Sequence, residues 1–105
     1  MPMHLYEVTA TIHDAAVEQA WVDWILNQHI ADVVAAGAER GRLVQVDTDD
    51  GTRVYSVQYE FASRAALDAY LVDHAPRLRD EGRALFSETQ ISYTRRTGAI
   101  HEPRD

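Results

Sequence analysis

The chain has 105 residues, a formal net charge of −7 and a pI of about 5.1; it has no cysteine, and its ten basic residues are all arginine. This length suits one domain with a core that needs no metal or disulfide staples, and the missing cysteine and lysine exclude thiol chemistry, thiolate metal centres and Schiff bases. Residues 1–52 hold nine acids and two arginines while residues 53–105 hold eight of each, so no basic stripe emerges and nucleic acid is not an expected partner.

Leu5 to Ile12 alternates, with Tyr6, Val8, Ala10 and Ile12 on one face and Glu7, Thr9 and Thr11 on the other, which predicts a half-buried strand. Asp14 can cap the helix that follows, Ala15 to about Ala36, which Gly37 ends. Arg42 to Asp47 reads as a second strand, with Leu43, Val44 and Val46. Asp47-Thr48-Asp49-Asp50-Gly51 reads as a hairpin turn; it lacks the ligand spacing of a calcium loop. Arg53 to Phe61 is the clearest strand, with Tyr55, Val57, Tyr59 and Phe61 on one face. Ser63 caps a second helix to about Ala75, where Pro76 ends it or opens a further turn to Gly82. Phe86 to Arg96 reads as the last strand, and residues 97–105 as a flexible tail.

The order strand, helix, strand, strand, helix, strand predicts an α+β fold: a ferredoxin-like βαββαβ sandwich, with a four-stranded antiparallel sheet carrying both helices on one face. The expected domain is single, with its core over about residues 4–96. The opposite face is expected to carry Glu7, Thr9, Thr11, Gln45, Ser56, Gln58, Glu60, Gln90, Ser92 and Thr94. Such a face is either washed by solvent or forms a wet interface with a second copy, closing a dimeric α+β barrel. No apolar run approaches the roughly 20 residues of a membrane span, and no signal-peptide pattern opens the chain, so the cytoplasm is the expected compartment.

Helix 1 has a wide apolar arc of Val17, Trp21, Val22, Trp24, Ile25, Leu26 and His29, and its phase changes after His29 because Ile30 and Val34 would fall on the solvent side. Either the helix bends there or these two residues meet a partner. Trp21 and Trp24 read first as core and second as the wall of a ligand pocket, which Tyr59 would complete. His29 lies inside the arc. It is a structural histidine or, in the sharper reading, a general base with Asp32 placed to orient it. His74, on the apolar face of helix 2, either binds helix-end carbonyls or joins a ligand site. No helical His pair or other metal-ligand spacing occurs, so neither a metal nor another cofactor is expected.

The pattern Trp21-x-x-Trp24-x-x-x-x-His29-Ile30 with Gly37, then Val57-x-Tyr59-x-Phe61, then His74-Ala75-Pro76-x-Leu78-Arg79 with Gly82 and Phe86, resembles the bacterial domain-of-unknown-function family 4286 over about residues 5–96. One departure is Ala31, where relatives are expected to carry proline. The resemblance implies a homodimeric α+β barrel and no established activity. The wider fold class includes cofactor-free monooxygenases, isomerases, haem-degrading enzymes and stress-response proteins, so three readings stand. They are a homodimeric module binding a small apolar or aromatic ligand, a cofactor-independent monooxygenase or isomerase with His29 as base, and a non-catalytic interaction protein.

Overall fold

The computed structural model describes residues 2–104. The elements follow the expected order: β1 (His4–Ile12), α1 (Glu18–Trp24), a π-helical turn (Ile25–His29), α2 (Ile30–Ala35), β2 (Arg40–Val46), β3 (Arg53–Phe61), α3 (Arg64–Asp73), α4 (Ala75–Leu85) and β4 (Ile91–Ala99). The sheet runs β2-β3-β1-β4 and every neighbouring pair is antiparallel, which is the ferredoxin-like arrangement. Among the described residues, no helix is long and apolar enough to cross a membrane.

The helix starts and stops follow local chemistry. The Asp14 carboxylate accepts from the Ala16 N–H at 3.0 Å, and the Ser63 hydroxyl accepts from the Ala66 N–H at 3.1 Å. Gly37 ends α2 at φ +135°, a conformation open to glycine and rarely to other residues. Between α3 and α4 the chain breaks at His74 (φ −128°, ψ −37°) and restarts with Pro76 in the first turn of α4. Proline has no N–H to continue the α3 ladder and is well suited to opening a new one.

The phase change in the first helix has a specific cause. The Ile30 N–H bonds the Ile25 carbonyl five residues back, so one residue is inserted into the helical repeat. The core-facing positions then step from Trp21 to Ile25 to Ile30 to Val33, a spacing of four, five and three, and all four pack in or against the core. Ile30 therefore needs no partner molecule to cover it, whereas Val34 stays 38% exposed and Leu26, expected on the arc, is 56% exposed. The second anchor of this layer is Gly41 on β2. A Cβ there would stand 2.8 Å from the Tyr59 ring and 2.9 Å from Ile30, so only glycine lets the ring lie against the strand.

Three other expectations are corrected. The last strand does not start at Phe86: α4 continues to Leu85, a turn follows, and β4 begins at Ile91. It then runs past Arg96, because Thr97, Gly98 and Ala99 keep their ladder with Tyr6, Leu5 and His4, and the Ile100 N–H bonds the Met3 carbonyl. Residues 97–100 are thus strand and its tie rather than tail; Met1 and Asp105 lie outside the described residues. On the sheet face away from the helices, Gln45 is absent because its register partner is Tyr55 on the helix side; Val44 and Val46 take its place, opposite Ser56 and Val54. Gln90 belongs to the turn before β4, where its carbonyl accepts from His13 at 2.8 Å.

That open face is not simply washed by water. Glu7 and Ser56 are 7% and 4% exposed. The Ser56 hydroxyl donates to Glu7 at 2.7 Å, Gln58 donates at 3.4 Å, and Arg96 forms a short ion pair with the same carboxylate. These donors hold the Glu7 carboxyl below its usual range, the Ser56 hydrogen bond foremost.

Candidate functional site

Between the helix layer and the β1–β4 side of the sheet lies a cavity of about 480 Å³. The sheet contributes Tyr6, Tyr59 and Tyr93; the first helical arm contributes Trp21 and Trp24; α3 contributes Tyr70, and the chain just after α4 contributes Phe86. Seven of the nine aromatic side chains of the chain therefore line one space. Its size and apolar wall suit a small-molecule site.

The π turn sets the wall on the helix side. It ends at His29, whose ring stacks on Trp24 with centroids 4.5 Å apart and planes 29° from parallel. Trp24 in turn faces Phe86 at 6.0 Å and lies over Gly82 of α4, where a Cβ would come within 3.2 Å of the indole. π turns inside α-helices occur frequently at functional sites, because the inserted residue re-aims the side chains that follow it. Trp21 is fixed differently: its indole N–H donates to the Tyr93 hydroxyl at 3.0 Å, and its ring packs on Tyr55 at 5.3 Å.

The polar atoms of this wall are poorly satisfied. Among the described residues, the buried side-chain atoms without a hydrogen-bond partner include Trp24 Nε1, His29 Nδ1, Tyr59 Oη and Arg79 Nε, and all four residues line the cavity. Burial pushes the His29 imidazole down to about 4, with Arg95 adding to the fall and Asp32 opposing it. The ring is thus neutral near pH 7. Burial, then the neighbouring Tyr70, Tyr6 and Tyr93, push the Tyr59 phenol far up, so it stays protonated and able to donate.

Four of the five sequence candidates, Trp21, Trp24, His29 and Tyr59, meet in this cavity. His74 does not. It sits at the α3–α4 joint, stacked on Tyr70 at 6.5 Å, and lines a separate surface hollow with Gln28, Asp32, Arg77 and Glu81. The chain breaks at His74, and its ring is not part of the lining of the aromatic cavity. Asp32 lines that same hollow and makes no hydrogen bond to His29. Sequence reasoning missed Arg79, Arg83 and Arg95, which also line the cavity. Arg79 stands in the motif quoted above and was given no role. Arg95 carries no signal until the ladder places it on the helix side of β4, opposite Val8. Among the described residues, no three His, Asp or Glu side chains converge as a metal-ligand set.

Comparison with known proteins follows the same lines. A dimeric ferredoxin-like protein from an uncultured marine organism matches with a TM-score of 0.72 at 16% identity, covering 99% of this chain and 100% of that one. A Bacillus halodurans protein of the ethyl tert-butyl ether D family matches with a TM-score of 0.62 at 13% identity, over 92% and 99% of the two chains. A Bacillus cereus protein, named provisionally as an antibiotic-biosynthesis monooxygenase, matches with a TM-score of 0.62 at 11% identity, over 100% and 99%. At these identities the likeness shows the fold alone, the ferredoxin-like α+β fold. No curated protein matches the chain. The family model described as "Domain of unknown function (DUF4286)" matches residues 3–100, and the chain belongs to that family.

Proposed function

We propose that the chain is a small-molecule-binding module, acting as a homodimer, that takes a flat apolar or aromatic ligand into the cavity beside His29. One observation carries this reading: four unpartnered buried polar atoms belong to side chains of a single aromatic cavity. Buried polar groups in packed cores are almost always hydrogen-bonded, and the exceptions collect at functional sites. A histidine kept only for packing would have its ring nitrogen paired.

The dimer is supported by the open sheet face. Glu7 and Ser56 are already shielded there in one chain, Val44 and Val46 are partly exposed beside them, and a similar structure is described as dimeric. Light scattering at micromolar concentration should give twice the 11.9 kDa chain mass; a monomer mass throughout would remove the dimer from the proposal.

Ligand binding is tested by titrating a library of aromatic fragments into ¹⁵N-labelled protein. The two indole N–H signals, from Trp21 and Trp24, both report on the cavity wall. Fragments should move these signals saturably. Fragments that bind elsewhere and leave both indoles unmoved would contradict the reading.

A second reading, a cofactor-independent monooxygenase or isomerase, is favoured by His29 alone. A neutral imidazole with an unpaired Nδ1 in an apolar wall can take a proton from a bound ligand, but at a pKa pushed down to about 4 it is a weak base, so its substrate must offer an acidic O–H or a strongly activated C–H. Under this reading His29→Gln keeps ligand affinity and loses turnover. Turnover unchanged in His29→Gln would rule it out. The third reading, a plain interaction protein, has no observation of this kind in its favour.

A further inference from the structure

We infer that the cavity selects anionic ligands: a flat aromatic or conjugated acid whose carboxylate or phenolate meets Arg79 and Arg95. This rests on the ligand-binding function proposed above and narrows it to a class of ligand.

The chain is acidic overall but holds ten arginines. Six of them pair with a carboxylate: Arg40, Arg53, Arg64, Arg77, Arg83 and Arg96. Among the described residues the four without such a partner are Arg42, Arg79, Arg95 and Arg104. Arg42 donates to Gln58 at 2.8 Å on the open face, and Arg104 lies beyond β4. The remaining two, Arg79 and Arg95, both line the aromatic cavity. Of the three carboxylate-free arginines within the strands and helices, two thus stand in one cavity wall and the third, Arg42, on the opposite face of the sheet.

Both side chains are held in place by neutral groups, which position them without cancelling their charge. Arg79 Nη2 donates to the Tyr6 hydroxyl at 3.1 Å, while its Nε is buried with no partner. Arg95 stands 5.5 Å above the centre of the Tyr93 ring, a cation–π contact. Tyr70 on the same wall feels both charges: burial and Tyr6 push its phenol up, and Arg79 and Arg95, with Arg77 outside the cavity, pull against them. A guanidinium without an anion, whether part-buried like Arg79 or at the cavity rim like the exposed Arg95, forgoes its strongest hydrogen bonds, the charge-assisted and bidentate ones to a carboxylate. An acid with a flat ring restores those bonds at one end and stacks among the aromatic rings at the other. The wall carries a single carboxylate, Glu88, on the exposed turn before β4, so the cavity remains net positive in a net negative chain.

The test compares three probes of nearly one shape by calorimetry: naphthalene-2-carboxylate, the neutral naphthalene-2-carboxamide and naphthalen-2-ylmethylammonium. The carboxylate should bind roughly tenfold or more tightly than the amide, and the ammonium most weakly. Arg95→Gln and Arg79→Gln should each shrink the carboxylate preference by roughly threefold or more. Arg42→Gln, which removes the same charge from the open face, should leave the preference unchanged. Arg95 is exposed, so its variant does not depend on repacking the core. Amide binding as tight as carboxylate binding, with the Trp21 and Trp24 indole signals still moving, overturns the anion preference and leaves the cavity a ligand site. Indole signals that move with none of the three probes overturn both.

Discussion

Glu7 and His29 are both withdrawn from water, one on each side of the sheet, and the chain treats them in opposite ways. Glu7 faces away from the helices and is met by Ser56, Gln58 and Arg96. His29 faces the cavity, and its Nδ1 meets nothing. The first group is satisfied within the fold, as a buried charge must be if it is to stay charged. The second is kept neutral by burial and left with unused hydrogen-bonding capacity. The contrast separates a polar cluster completed within the sheet from a polar wall with hydrogen-bonding capacity left over, the feature on which the proposed ligand site rests.

The largest effect should come from closing the cavity side. Gly41→Ala drives a methyl group into the Tyr59 ring and Ile30, and should lower stability by about 3 kcal/mol in urea unfolding, with both indole environments disturbed. Next comes pH, where the two groups act in different windows. The folded His29 pKa of about 4 lies below the ordinary 6.5, so the unfolded chain binds the proton first as pH falls. Stability contributed by the neutral ring is complete above about 6.5 and should fall by the order of 2–3 kcal/mol between 6.5 and 4. Glu7, lowered from 4.5, holds its contribution above that value and loses it only as pH drops further, through its folded pKa. Unfolding midpoints from pH 8 to 3 should show the first loss vanish in His29→Leu and persist in Glu7→Gln.

Smaller still is Glu7→Gln itself at pH 7. It keeps the shape and removes the charge that Arg96 and Ser56 address, and should reduce stability by about 1–2 kcal/mol. His29→Leu at the same pH should lie within about 0.5 kcal/mol of the parent, because it trades a ring whose Nδ1 is unpaired for an apolar side chain of similar size that can still pack on Trp24. A large loss in His29→Leu beside a negligible one in Glu7→Gln would reverse the comparison.

Much of the fold was legible because strand alternation and the caps at Asp14 and Ser63 are local signals. The π turn was legible only as its symptom. The apolar phase breaks after His29, yet nothing in the residue types says whether a bend, a partner or an inserted residue repairs it; the five-residue step from Ile25 to Ile30 becomes visible once a sheet fixes which way the helix must face. Helix phase brought Trp21, Trp24 and His29 to one wall, and alternation brought Tyr59 to meet them. It misled at His74, because the break before Pro76 ends the helical phase on which that placement relied. In the sequence Glu7 is one polar residue among many, since its burial depends on Gln58 and Arg96 being its register partners on β3 and β4. Arg95 was invisible for the same reason: in the run Tyr93-Thr94-Arg95-Arg96, only the ladder tells which arginine faces the cavity and which meets Glu7.

The His29 ring sits neutral in the cavity wall with its Nδ1 unpaired, a state that can be measured without any mutation. Following the ¹³Cε1 and Hε1 signals of the His29 ring through an acid titration of the folded protein should give a midpoint near 4. A midpoint at or above the ordinary 6.5 would mean that the ring reaches solvent or an acidic partner, and would contradict the account.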